Sequence, residues 1–195
     1  MNPELKYIAR KQELLAQITD LINAEGYANL TVRKICHRLG ISTGSFYHYF
    51  PYKGELAWIL FADIDDYFNN EVVRKFNENE AENLIIFGEE YGHYVTERGV
   101  ETCRYISLAP LRDASNNYLD EKRGIFQILL NIVRRGEEKK QLKLPGTGAI
   151  DTARMLMIVL RGFSADWAKH NGNYDLPEAI LPVMKLLSMS LTNNE

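Results

Sequence analysis

Thr31-Val-Arg-Lys-Ile-Cys-His-Arg-Leu-Gly40-Ile-Ser-Thr-Gly-Ser-Phe-Tyr-His-Tyr-Phe50-Pro-Tyr-Lys53 is the stretch from which the rest of the chain is read. Thr31 has the side chain of a helix N-cap, which accepts from backbone N–H groups left unpaired in a first turn. Val32, Ile35, Cys36 and Leu39 follow at i, i+3, i+4 and i+7 and form one apolar face. Gly40 stands where a left-handed residue closes such a helix. Ser42 can cap a second helix, and Pro51 limits its length. Phe46 and Phe50, four apart, pack the second helix onto the first and leave Thr43, Gly44, Tyr47 and His48 outward. The spacing predicts a helix-turn-helix. Small, hydrogen-bonding residues near the start of its second helix suit a DNA major groove.

The same residues carry a resemblance. Thr31-Val32-Arg33, Gly40-Ile41-Ser42 and the run Gly44 to Pro51 with Lys53 resemble the signature of TetR-family regulators over roughly residues 10–60. Farther on, Arg161-Gly162, Asp166-Trp167 and Tyr174-Asp175-Leu176 are similar to the last two helices of many members. Three positions depart from the pattern: Cys36 replaces a usual alanine, Tyr52 a small polar residue and Gly54 an acidic one. The resemblance implies an all-α fold with two parts. Residues 1–52 would be a three-helix DNA-binding domain, and 53–195 a larger helical domain for effector binding and dimerisation.

Composition is ordinary for a soluble globular protein, and its net charge alone argues against a generic nucleic-acid binder. The 195 residues are 46% hydrophobic and 25% charged, with a net charge of −3. That total hides a split. Residues 1–53 hold 7 Lys/Arg against 4 Asp/Glu, and residues 54–195 hold 16 against 22. A basic front on an acidic body presents one face to phosphate. Cys36 and Cys103 are too few and too far apart for a disulfide framework, so reduced thiols in a cytoplasm are expected. No leader-like segment opens the sequence, and the longest apolar run, Met155 to Leu160, is too short to span a bilayer.

Periodicity lays out about nine helices, no convincing strand and no internal repeat. Helix 1 is expected over Leu5–Glu25, with a stripe of Ile8, Leu15, Ile18 and Ile22 joined by Leu14 and Leu21, and with Gly26 at its end. Its Lys6, Arg10 and Lys11 either approach the DNA backbone or form a solvated surface. One long helix is expected from Lys53 to Phe76, on which Asp63, Asp65 and Asp66 read as a solvated face. Further helices are expected over Glu82–Arg98, Thr102–Leu108 (stopped by Pro110), Tyr118–Leu142 and Asp151–Lys169, then after Pro177, with a kink at Pro182.

Residue chemistry assigns roles within this layout. Thr43, Gly44, Ser45 and His48 are the candidates for base readout, next to the Ser42 cap, with Arg33 reaching in from the neighbouring helix. Tyr47, Tyr49 and Lys53 suit phosphate contacts, which set register without reading sequence. In the resemblance the positions of Tyr47 and Lys53 take that part. Tyr49 could instead be a core aromatic, and Arg33 a surface charge. An effector pocket could draw on Trp58, Phe61, Phe87, Tyr91, Tyr94, Cys103, Tyr105, Arg112 and Phe126, a mainly apolar set with a few polar handles. Arg104 and Arg112 would suit an anion if turned inward.

The unbroken apolar run in the penultimate helix cannot face water on either side. Met157, Leu160, Phe163, Trp167, Met184, Leu187 and Leu191 are therefore expected at a homodimer interface, which the resemblance makes a four-helix one. Two-fold symmetry implies a pseudo-palindromic operator with recognition helices about one turn of DNA apart, roughly 34–36 Å, or a multiple. An enzyme is not expected. Glu90-Tyr-Gly-His93 is a Glu-x-x-His pair, but no second one completes a di-iron site. No metal or other cofactor is implied. The reading is a ligand-released transcriptional repressor, and its alternative is an all-helical DNA-organising or interaction protein without an effector.

Overall fold

The computed structural model describes residues 3–26, 29–51, 63–112 (backbone alone from 108) and 121–192. Among them the chain is helical, with a single isolated antiparallel bridge between Leu142 and Thr192. The N-terminal part comprises α1 (Pro3–Glu25), α2 (Val32–Leu39) and α3 (Thr43–Tyr49). Its core is small and closed: Leu14, Ile18, Ile22, Leu30, Ile35, Cys36, Phe46 and Phe50.

The expected stripe of α1 is rotated slightly. Leu14, Ile18 and Ile22 are buried, whereas Leu15 is only partly covered and Ile8 is exposed. Residues 52–62, where the long fourth helix was expected to begin, lie outside the described residues. From 63 to 67 the chain is α-helical (α4), and then it changes winding. A π turn over Phe68–Val72 and a 3-10 turn over Val73–Lys75 bring it to the Asn77–Asn79 break. The π turn still buries Phe68 and Val72 in the body core.

The body continues with α5 (Glu80–Arg98), α6 (Val100–Arg112), α7 (Gly124–Glu138), α8 (Gly148–Lys169) and α9 (Leu176–Leu191). Asn79 caps α5 by accepting from the N–H groups of Ala81 and Glu82. Asp175 caps α9 by accepting from that of Glu178, with Pro177 in the first turn. Helix α6 is longer than expected: its backbone runs on through Pro110 to Arg112. Helix α7 is shorter. It begins at Gly124, and it ends where Gln141 and Leu142 fold back and both donate to the Gly136 carbonyl, at 2.8 and 2.9 Å. A Cβ on Gly136 would stand 2.4 Å from Leu142, so the close return requires glycine there.

Packing of α5 against α9, flanked by α7 and α8, forms the body core. The end of α1 rests on the turn between α5 and α6. Asn23 donates from Nδ2 to the Arg98 carbonyl (2.8 Å), and its Oδ1 accepts from the N–H and hydroxyl of Thr102 (both 3.2 Å). Gly99 sits at φ +86 in that turn, and a Cβ on it would lie 2.6 Å from Asn23. This seat joins the two parts of the molecule through Arg98, whose side chain also pairs with Asp63 of α4.

Candidate DNA interface and effector cavity

The tip is built by local capping. The Thr31 side chain accepts from the Lys34 N–H at 3.2 Å, and Gly40 takes φ 63, ψ 31 to close α2. Two residues later the Ser42 hydroxyl accepts from the Ser45 N–H at 3.0 Å and starts α3. Phe46 and Phe50 are fully buried, with ring centroids 5.3 Å apart, and fix which face of α3 turns outward. Ser42, Thr43, Gly44, Tyr47 and His48 are exposed there, Ser45 is half-buried, and Arg33 is exposed on α2. Lys53 lies outside the described residues.

Gly44 has no packing reason to be glycine. An added Cβ would meet only Ser42 Oγ, at an ordinary 3.7 Å.

Tyr49 is partly buried. Its ring stacks on Tyr7 at 5.0 Å, and the Tyr7 hydroxyl donates to the His48 carbonyl at 3.3 Å. Tyr7 thus braces α3 from α1. Sequence reading passed over it, although 7, 11, 14 and 18 share one helical face. Of the basic residues on α1, Arg10 pairs with Glu13 at 2.6 Å, and Lys11 lies 5.9 Å from the centre of the Phe50 ring.

In the body a cavity of about 40 Å³ lies between α4, α5, α6, α7 and α8. Three of the expected pocket residues, Tyr91, Tyr94 and Cys103, line it. Phe87 and Phe126 are instead in the packed core, and Tyr105 is half-buried away from the cavity. Trp58, Phe61 and the side chain of Arg112 lie outside the described residues. Ile64, Val95, Ile106, Ile125 and Met157 supply the rest of the apolar wall.

The arginines that line this cavity are Arg98, Arg123 and Arg161. Arg104 turns away, to Glu101, the Ala168 carbonyl and Asn171. Helical spacing offered a signal for the right arginines. Tyr91, Tyr94, Val95 and Arg98 form one stripe of α5, and Met157, Arg161 and Ser164 one of α8.

The aspartates of α4 are engaged rather than solvated, apart from exposed Asp66. Asp63 pairs with Arg98 and accepts from the Tyr94 hydroxyl at 3.3 Å. Asp65 accepts from Arg123 at 3.0 Å and from the Ile125 N–H at 2.9 Å, so it also caps α7. One turn on from Asp63, the Tyr67 hydroxyl donates to Glu90 at 2.6 Å, and Glu90 also takes Lys75 at 2.7 Å. Burial pushes up the pKa of the Tyr94 phenol, and that of the Cys103 thiol to about 11. Both therefore stay protonated near neutrality, Cys103 donating to the Ser164 carbonyl.

Most residues expected at a dimer face are covered by their own chain. Met157, Leu160, Trp167, Met184 and Leu191 are at most 4% exposed within one subunit, and Phe163 and Leu187 are partly covered. They pack α8 and α9 onto the rest of their own chain. The large apolar side chains that those helices leave in water are Ile150, Met155, Ile158, Leu186 and Met189, the last three at 60–66% exposure. Among the described residues no helix is long and apolar enough to cross a membrane.

Comparison with known proteins agrees with this geometry. The model of the bacterial regulatory proteins of the tetR family matches residues 14–57. No curated protein sequence matches significantly. Among solved structures, the transcriptional regulator FadR from Bacillus subtilis, in complex with stearoyl-CoA, superposes with a TM-score of 0.75 at 20% identity. That match covers 92% of this chain and 98% of FadR. The TetR-family regulator PfmR from Thermus thermophilus gives 0.70 at 18%, over 90% and 97%. A TetR-family regulator from Pectobacterium atrosepticum gives 0.75 at 15%, over 99% of each chain. Residues 14–57 thus match the model of the tetR-family bacterial regulatory proteins, and the chain as a whole shares the fold of these solved regulators.

Proposed function

We propose that the chain works as a homodimeric transcriptional repressor, released from a pseudo-palindromic operator when a small molecule enters the body. The observation that carries the reading is the N-terminal end of α3. Thr43, Gly44, Tyr47 and His48 are presented to solvent on a helix whose opposite face is locked by Phe46 and Phe50. A glycine that packing does not require leaves bare backbone where a duplex would approach. Thr43, Gly44, Ser45 and His48, with Arg33, read base edges, and Ser42, Tyr47, Tyr49 and Lys53 hold phosphates. Separate cores in tip and body support a division near residue 52, with 1–52 for DNA and 53–195 for effector and partner.

Dimerisation is assigned to the outer faces of α8 and α9. Exposed apolar side chains clustered on two helices mark a contact surface, and Ile158, Leu186 and Met189 are the anchors. An effector in the body is supported by the cavity and by FadR, whose structure holds stearoyl-CoA.

Selection of bound fragments from random duplex DNA tests the reading, with two-fold symmetric half-sites as the expected outcome. Tyr47→Phe should then weaken every bound sequence alike, and Thr43→Ala or Gly44→Ala should change which sequences are preferred. Ile158→Glu should give folded monomers by sedimentation and lose operator binding. Absence of any enriched sequence, or an Ile158→Glu protein of unchanged size, defeats the assignment.

A further inference from the structure

We infer that the effector is an amphipathic anion whose head group takes Arg98 away from Asp63. The inference rests on the sensor reading of the body and names the ligand class and the first contact it breaks. Its basis is the arrangement of charge around the cavity. The walls are apolar, three arginines are among the residues that line them, and no carboxylate lines the space among the described residues. An apolar chain would fill such a space, and a negative head would end at the arginines.

The two α4 aspartates are not equivalent. Asp65 is held by a second donor, the Ile125 N–H, and its partner Arg123 is only 9% exposed, so this pair serves α7 as well as α4. Asp63 also has a second donor, the Tyr94 hydroxyl at 3.3 Å, but its ion pair is the more exposed of the two. Its side chain is 39% exposed and that of Arg98 33%, so the carboxylate can turn into water as an incoming anion replaces it. Arg98 also has capacity to spare, because its Nε is buried and makes no hydrogen bond. The cavity is too small to admit a ligand without some such rearrangement, holding at most a few waters at about 40 Å³.

Asp63 lies on α4, at the point where the chain enters the body from the tip. A ligand that replaces Asp63 at Arg98 loosens α4 from α5 while Arg123 and Asp65 keep α7 in place. Ligand and Asp63 compete for one cation, and that competition is the differential affinity a switch needs.

Calorimetric titration of the purified full chain with decanoate, decyl phosphate, decanol and decylammonium isolates the head group, since all four share a tail. Decanoate or decyl phosphate should bind at least about tenfold more tightly than decanol, the span of one charge-assisted hydrogen bond. The tighter of the two names the head. Decylammonium should bind most weakly. Arg98→Gln should erase most of that discrimination, and Arg98→Lys should restore part of it. Amide exchange over residues 63–72 should speed up when the anion binds. In Asp63→Asn it should be fast already and respond little.

Equal binding of decanol and both anions, failure of all four to bind, discrimination that survives Arg98→Gln, or slower exchange over 63–72 would each overturn the inference. None of these measurements uses DNA. A chain that binds decanoate in this way but no duplex would remove the regulator reading and leave the anion site standing.

Discussion

The tip and the body of this molecule are held together by different kinds of contact. In the tip the deciding bonds span three residues: Lys34 to Thr31, and Ser45 to Ser42. In the body they span most of a domain. The Glu80 N–H donates to Gln141 across 61 positions, Ile125 reaches Asp65 across 60, and Ser188 reaches the Ala81 carbonyl across 107. A tip specified by near neighbours and closed by eight buried side chains has little reserve. A body tied by distant contacts shares any loss among many neighbours.

The largest effect should come from testing that asymmetry directly. Phe50→Ala and Phe87→Ala each remove a fully buried ring, at a cost of about 3–5 kcal/mol. In the tip that loss should melt α1–α3 alone, leaving the body folded and DNA binding gone. In the body it should lower the single main transition without detaching the tip. Differential scanning calorimetry with residue-resolved amide exchange would show it. A common, single-step loss for both variants would mean that the two parts fold as one unit.

The seat between the parts is the next place to press. Gly99 at φ +86 lies against Asn23, so Gly99→Ala combines an unfavourable backbone with a clash, for roughly 1–3 kcal/mol. Part of the cost should vanish in an Asn23→Ala background, because the shortened side chain clears the space. A double-mutant cycle by urea unfolding reads the coupling directly. Additive losses would show that the strain at Gly99, and not the seat, sets the cost.

The same contrast explains how far the sequence could be read. Thr31, Gly40, Ser42, Phe46 and Phe50 announced themselves because caps, left-handed glycines and four-residue spacings are local signals. In the body the helices were recoverable, with errors where distant contacts set the ends. Leu142 returning over Gly136 cut α7 short, and Asp65 helped fix where α7 begins. Apolarity alone could not separate core from interface in α8. Met157 and Ile158 are neighbours in one run, yet the first is 2% exposed and the second 60%. Nor could residue type tell which arginines face the cavity. Arg104 and Arg98 differ by six positions and point to different partners, a consequence of the turn at Gly99 that starts a new helix between them.

The smallest effect, a slope in the acid range, separates the regions once more. Among the described residues the tip buries no carboxylate, whereas the body buries Glu80. Burial by itself would raise the pKa of Glu80. Hydrogen bonds from Asn83, Lys139 and Arg135 outweigh that and hold it below its ordinary 4.5. A carboxyl whose folded pKa is depressed contributes stability that is present above the unfolded pKa and lost as pH falls through the folded one. The body should therefore weaken below about pH 4.5 before the tip does. In Glu80→Gln, which cannot titrate, the gap in stability from the parent should shrink as pH falls from 4.5. Both Arg135 and Lys139 are more than one-third exposed, so their released charges return to water and the change stays modest. Amide exchange of α5 and α3, followed from pH 6 to roughly pH 3, makes the comparison within one sample. Faster opening of α3 than of α5 across that range would show that acid attacks the tip first, through groups other than buried carboxylates.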